Sequence, residues 1–137
     1  MAYIPIATRR TFTVDQLLML RDRTDVAMSA TTNAAPVGFP VEAIKYSPYT
    51  SAVFTFADYT GYVAGTAQWS GSVEVEIDSS WVSVASSVLM PGNDGIVEIA
   101  FSGNQLMDMG EVTAIRAVFT KTGSPGDLSA GCHLGHY

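Results

Sequence analysis

Three acidic residues alternate with apolar residues along one short segment of the chain. Glu74, Glu76 and Asp78 would share one face of a β-strand, with neighbouring carboxylates about 7 Å apart. Most glycosidases use two carboxylates, one as acid and the other as base or nucleophile. An acidic stripe facing water is the commoner arrangement of this pattern, and Arg116 could pair with one of these acids across strands. We therefore predict no catalytic residue in this segment.

The residue types that bind metals gather near the end of the sequence. Cys132, His133 and His136 form this cluster, and Cys132 is the single cysteine, so an intrachain disulfide is impossible. A zinc site takes three or four ligands held by surrounding structure, which a frayed terminus does not provide. We predict no metal and no cofactor, and therefore no effect of EDTA on the fold. The one alternative is that copies of His136 converge on the axis of an oligomer.

Other catalytic signatures are missing from the sequence. No serine lies in a Gly-x-Ser-x-Gly elbow, and the glycines at 61, 65 and 71 are not followed by the Gly-Lys-Ser/Thr of a phosphate loop. Asp58 and Asp94 lack the spacing of a calcium loop and are interpreted as turn residues. The chain is predicted not to be an enzyme.

The aromatic residues allow two interpretations. They could line a sugar-binding face, because flat rings stack on sugars. Alternatively, Trp81 starts a core strand and the tyrosines belong to loops, which is the interpretation that we favour. The residues concerned are Trp69, Trp81, Tyr46, Tyr49, Tyr59 and Tyr62.

The elements that would position these residues are mostly β-strands. Residues 73–78 and 113–121 alternate between apolar and polar positions, and residues 81–89 and 96–101 flank the turn-forming residues 91–95, which predicts a hairpin. Further strands are predicted at 41–46, 52–57 and near Leu134. The predicted fold is mainly β, a two-sheet, jelly-roll-like β-sandwich of seven or eight strands over residues 41–134.

The N-terminal part differs from this body. Thr13 and Gln16 form a capping pair, and Phe12 can pack on Leu17, so a helix is predicted over residues 14–23. Residues 1–12 are predicted to be an extended arm. The whole chain, residues 1–137, is predicted to form a single domain.

Charge and composition narrow the classes of partner. Apolar residues make up 47% of the 137 residues and charged residues 15%, and the net charge of -6 argues against nucleic-acid binding. Residues 1–30 carry four Arg against three Asp, a net charge of +1, which leaves -7 for the remainder. No apolar run is long enough to cross a membrane, and the N-terminus lacks a signal-peptide pattern, so we expect a protein made in a cytoplasm.

Three stretches of the sequence resemble a known family. They are residues 52–58, residues 73–77 with Trp81, and above all residues 114–131. Together they are similar to the cement, or decoration, proteins of tailed phages such as cyanophages. The resemblance covers roughly residues 50–134, is one of overall pattern, and does not include the N-terminal third.

The resemblance implies a function in the virion. Such a protein is a β-sandwich subunit, typically trimeric, that sits on the capsid exterior and clamps neighbouring major capsid proteins against internal DNA pressure. The alternative is a carbohydrate- or receptor-binding sandwich of a tail fibre or baseplate.

The N-terminal arm is predicted to be the main docking element, at an interface with the capsid or another subunit. Its apolar residues lie beside two arginines, a combination that interface centres favour. If residues 3–7 instead form an edge strand, their removal would destabilise the fold. The predicted interface residues are Tyr3, Ile4, Ile6, Arg9, Arg10 and Phe12.

Overall fold

A computed structural model describes residues 18–36, 39, 41 and 50–136 of the chain. These residues form nine β-strands and one short α-helix. In chain order they are β1 Met19–Arg21, β2 Thr32–Ala34, β3 Thr50–Phe56, β4 Gln68–Ile77, β5 Ser80–Ser83, β6 Val88–Met90, β7 Gly95–Phe101, α1 Gly103–Met109, β8 Val112–Thr122 and β9 Ala130–His136. The predicted arm, residues 1–12, lies outside the described residues, as does most of the strand predicted at 41–46.

The strands form two antiparallel sheets packed face to face, so the predicted β-sandwich is confirmed. The first sheet has the order β1-β9-β3-β7. The second has the order β2-β8-β4, and both β5 and β6 pair with the remaining edge of β4. Because β1 and β2 belong to these sheets, the sandwich includes residues that precede 41.

The core lies between the inward faces of the two sheets. The side chains of Val73 and Val75 on β4 are fully buried, and so are those of Ile115 and Phe119 on β8. The alternating sequence pattern predicts this burial. Phe54 of β3 meets Phe119 edge to face, with ring centroids 5.6 Å apart. Strand assignments at 73–77, 113–121, 52–56 and near residue 134 are therefore confirmed.

The helix predicted over residues 14–23 is wrong where the structure describes it. Residues 19–21 form β1, which pairs antiparallel with β9. Leu18 and Leu20 are 5% and 4% exposed, while Met19 and Arg21 are half-buried, the period-two pattern of a strand. The free edge of β9 supplies hydrogen-bond partners, and this tertiary pairing overrides the local helix preference.

The hairpin predicted for residues 81–101 is also wrong. The segment 81–89 is divided between β5 and β6, and β6 pairs with β4 while β7 pairs with β3. Residues 91–95 therefore connect the two sheets. The actual tight hairpin joins β4 to β5 through Asp78 and Ser79, both with positive φ, as a two-residue type I′ turn requires.

Helix α1 was not predicted. Ser102 caps it by accepting a hydrogen bond from the Gln105 amide at 3.1 Å, and Leu106 anchors it in the core. It connects β7 to β8 at the end of the sandwich opposite residues 91–95.

Candidate interaction surfaces

The acidic stripe of β4 is used for cross-strand pairing. Arg116 lies directly opposite Glu74 in the register of β8 and β4. Its Nη2 and Nε atoms lie 2.6 and 2.9 Å from Glu74 Oε1, and the two side chains are only 19% and 24% exposed. The predicted pairing of Arg116 with one of these acids is confirmed. Asp78 lies in the β4–β5 turn with φ 51°, and so does not continue the stripe.

Trp81 completes this group from the neighbouring strand. The Arg116 guanidinium carbon lies 4.1 Å from the centroid of its ring, within the range of a cation–π interaction. Trp81 pairs with Glu76 across β4 and β5, so its half-buried ring lies on the outward face. It therefore does not start a core strand as predicted. We call Glu74, Arg116 and Trp81 the outer-sheet triad.

Small uncharged residues surround the outer-sheet triad. The register places them on the same outward face, because directly opposed residues of a sheet point to the same side. They include Ser70, Ser72, Ser83, Ala114 and Thr120. The same face also carries Glu76, whose carboxylate accepts a hydrogen bond from the Thr113 hydroxyl at 3.1 Å, and Leu89, which lies opposite Ser70 and is 38% exposed.

Two of the residues that could bind a metal, Cys132 and His133, lie on opposite faces of β9. Cys132 points into the core and is 1% exposed, and this burial raises the pKa of its thiol well above the ordinary value. His133 points outward between Met19 and Val53, and partial burial lowers the pKa of its imidazole. Within the described ranges, no three His, Cys, Asp or Glu side chains could hold a metal ion. The structure describes the backbone of His136 but not its side chain.

Trp69 and Tyr59 have structural positions that rule them out of an exposed sugar platform. Trp69 is 0% and Tyr59 7% exposed. The Tyr59 hydroxyl accepts a hydrogen bond from the Trp69 amide at 3.2 Å and donates one to the Met90 carbonyl. Tyr62 packs edge to face against Tyr59 with centroids 6.1 Å apart. Tyr46 and Tyr49 are outside the described residues.

Four loops meet at one end of the sandwich, which we call the loop end: residues 22–27, 58–67, 91–95 and 123–127. The register places them together, since Phe56 pairs with both Gly95 and Ala130 and Gln68 pairs with Thr122.

Hydrogen bonds lock these loops to one another. The Tyr59 amide donates to the Gly92 carbonyl at 3.0 Å, and the Gly126 amide donates to the Thr60 carbonyl at 2.7 Å. The Asp58 carboxylate accepts a hydrogen bond from the Asp94 amide of another loop, whereas the sequence predicted a bond to the backbone of its own turn. The loop end is therefore a preformed surface.

Further contacts tie residues 22–27 to the same surface. The Arg23 Nη2 atom lies 3.8 Å from Asp94 Oδ2, which is an exposed ion pair. The Asp22 carboxylate accepts from the Thr24 amide at 2.9 Å and hydroxyl at 2.8 Å, which holds the pKa of Asp22 below its ordinary value. Arg21 donates to the carbonyls of Ala130 and Val26, fixing the base of the loop against β9.

The most exposed large apolar side chains of the described residues lie at or next to the loop end, Val26 and Val63 on two of its loops and Ile96 at the start of β7. Val26 is 89%, Ile96 68% and Val63 55% exposed. Ile96 directly follows residues 91–95 and points outward from β7. Sequence patterns did not reveal these positions, because the three residues are far apart in the chain, two on different loops and one on β7.

The six interface residues predicted in the N-terminal arm all lie outside the described residues. The surfaces found here therefore come from other parts of the chain.

Comparisons with known proteins returned no family model, no curated protein and no solved structure that matches this chain. Among the described residues, no helix has the length and apolar character needed to span a membrane.

Proposed function

We propose that this chain is a noncatalytic virion protein that binds the capsid exterior of a tailed phage and clamps neighbouring major capsid proteins. The resemblance that supports this proposal lies on β3, β4, β8 and the residues leading into β9. These segments build much of the core of the sandwich. In this proposal the chain is assembled in the host cytoplasm and acts as a trimer, without nucleic acid, membrane or cofactor.

The outer-sheet triad is the observation on which the proposal rests. Trp and Arg are the residue types most enriched at energetically dominant interface positions. Because Glu74 already neutralises Arg116, a partner can cover these two side chains without leaving either charge unpaired. Glu76, which lies opposite Trp81, would need a hydrogen-bond donor from the partner. Many residues around the triad are small, and the exposed Leu89 on the same face would add apolar contact area. Many copies, each attached through a modest contact, would together stabilise a capsid lattice by avidity.

The same geometry favours a protein partner over a sugar. Arg116 covers one face of the Trp81 ring, the surface on which a sugar would otherwise stack. Trp69 and Tyr59, which could have extended an aromatic platform, are buried. A receptor-binding role in a tail fibre or baseplate is the alternative that the experiment below separates.

Co-sedimentation tests this function. The purified chain should pellet with DNA-filled heads that lack it, and Trp81→Ala should weaken this binding at least about tenfold, equivalent to roughly 1.4 kcal/mol. Met107→Ser is the matched control, since Met107 is 47% exposed on α1, away from this face. Its binding should equal that of the unmodified chain. Pelleting with tails or host envelopes in place of heads would contradict the proposal.

A further inference from the structure

We propose that the loop end binds the N-terminal segment, residues 1–12, of a second copy of this chain. The proposal goes beyond capsid attachment, because it concerns a contact between copies and requires no capsid.

The apolar side chains of the loop end provide the first argument. Val26, Val63 and Ile96 are each more than half exposed, although the loops beneath them are held by hydrogen bonds between the loops. Exposed apolar groups on a rigid base lose little conformational entropy when they are covered. Such a surface therefore suits a partner that brings apolar side chains of its own.

Charge identifies the partner. Within the loop end there are five aspartates and one arginine, a net charge of -4. Asp22 accepts a hydrogen bond within its own turn, Asp58 accepts one from the Asp94 amide, and Asp94 also lies near Arg23. Asp25 and Asp127 are exposed without such a contact among the described residues. A basic segment with apolar residues would complement this surface.

The N-terminal segment has this composition. Residues 1–12 contain Arg9 and Arg10 and no acidic residue, so they carry a charge of +2 before the terminal amine is counted. Four of their side chains are large and apolar: Tyr3, Ile4, Ile6 and Phe12. Residues 112–123 have the same formal charge and a similar apolar content, but residues 112–122 form β8, which is already paired with β4 and β2.

The direction of β1 favours binding to a second copy. β1 is antiparallel to β9, and β9 begins at the loop end with Ala130, so β1 runs toward the loop end. Met19 is therefore its residue farthest from the loop end, and the preceding chain would have to reverse to reach the loop end of its own copy. Seventeen residues can span up to about 56 Å, enough to reach a neighbour.

This contact has a consequence for symmetry. The segment of one copy would bind a different surface on the next, so the interface is head to tail. Head-to-tail contacts that close produce rings, and a three-membered ring agrees with the trimer proposed above. A two-fold dimer would instead require the two copies to exchange their segments.

Charge reversal in the full-length chain tests the proposal. The mass in solution is measured by sedimentation at tens of micromolar, with a thermal melt of every variant to establish folding. The unmodified chain should self-associate. Arg9→Glu with Arg10→Glu should weaken association at least tenfold, and so should Asp25→Lys with Asp127→Lys. Combining all four changes in one chain should restore part of the association, because the acidic segment then meets lysines at positions 25 and 127 of a loop end that has become neutral.

Controls separate this contact from a general effect of charge. Asp108→Lys with Glu111→Lys makes the same charge change at the opposite end of the sandwich and should leave association unaltered. Val26→Ser with Val63→Ser should weaken association in a manner that persists at high salt, unlike the charge variants. A monomeric unmodified chain, unchanged association in the single reversals, or failure of the fourfold variant to associate would each overturn the proposal. These experiments do not measure capsid binding. They can therefore contradict this proposal without contradicting the proposed function, and co-sedimentation can do the reverse.

Discussion

Arg116 contacts two different kinds of group through one guanidinium. It donates two hydrogen bonds to Glu74 and lies over the ring of Trp81, and both contacts are partly shielded from water. Shielded, geometrically fixed ion pairs contribute more than the exposed pairs that dominate protein surfaces. Glu74 and Arg116, whose residue types could have served in catalysis, therefore have a structural contact with each other instead.

Arg116→Ala should lower the free energy of unfolding by about 1–2 kcal/mol, because it leaves the Glu74 carboxylate unpaired and removes the cation–π contact. Urea denaturation followed by Trp fluorescence measures this. Glu98→Gln is the control, since Glu98 is an exposed acid on the other sheet, and its effect should stay within about 0.5 kcal/mol. If Glu74→Gln and Arg116→Ala have strictly additive effects, the two side chains do not interact.

At the element scale, β4 organises the second sheet. It pairs along its length with β8 on one edge, and with β5 and then β6 on the other. Its inward face meets the first sheet at Gly71, where a Cβ atom would lie 2.7 Å from the Phe54 ring. Phe54 is fully buried, so its ring has no open space into which to move.

Gly71→Ala should therefore destabilise the protein by about 1–3 kcal/mol through overpacking. Gly135→Ala is a matched control on β9, because no atom lies within 4 Å of the position of its Cβ. That variant should be neutral within about 0.5 kcal/mol. Thermal or urea unfolding of both variants gives the comparison, and equal stabilities would show that the close approach of the sheets at Gly71 is not a constraint.

At the scale of the whole molecule, the two ends of the sandwich differ. One end has the tight β4–β5 turn and α1, while the loop end joins four loops around the buried Tyr59. The Tyr59 hydroxyl connects β4 with β6, and burial raises the pKa of this phenol. Removal of this one hydroxyl should therefore destabilise the packing of the loop end.

Tyr59→Phe should cost about 1–3 kcal/mol at neutral pH, because it leaves buried backbone groups of Trp69 and Met90 without a partner. The folded-state pKa is higher than the unfolded one, so the stability that the phenol contributes is complete below about pH 10 and falls as pH rises further. The stability difference between Tyr59→Phe and the unmodified chain should therefore shrink above pH 10. Cys132, whose pKa is also raised, affects both chains equally. A pH-independent difference in urea unfolding would contradict this linkage.

The alternating residues at 73–77 and 115–119 determined their strands without help from distant parts of the chain. A side-chain period of two places apolar groups on one face, and burial of that face decides the register. The same reasoning predicted that Arg116 pairs with one of the acids at 74, 76 and 78, and the register then selected Glu74. The β class and the sandwich followed from several such strands with turn residues between them.

Only the tertiary structure decided which strands are neighbours. Residues 91–95 have the composition of a hairpin turn, yet they connect different sheets, because β6 binds the edge of β4 and β7 binds β3. Residues 19–21 join β9 despite their helical context, and four loops from distant parts of the chain meet at one end of the sandwich. Strand pairing and loop packing depend on contacts between residues distant in the sequence, whereas periodicity records only which face of its own element each residue occupies.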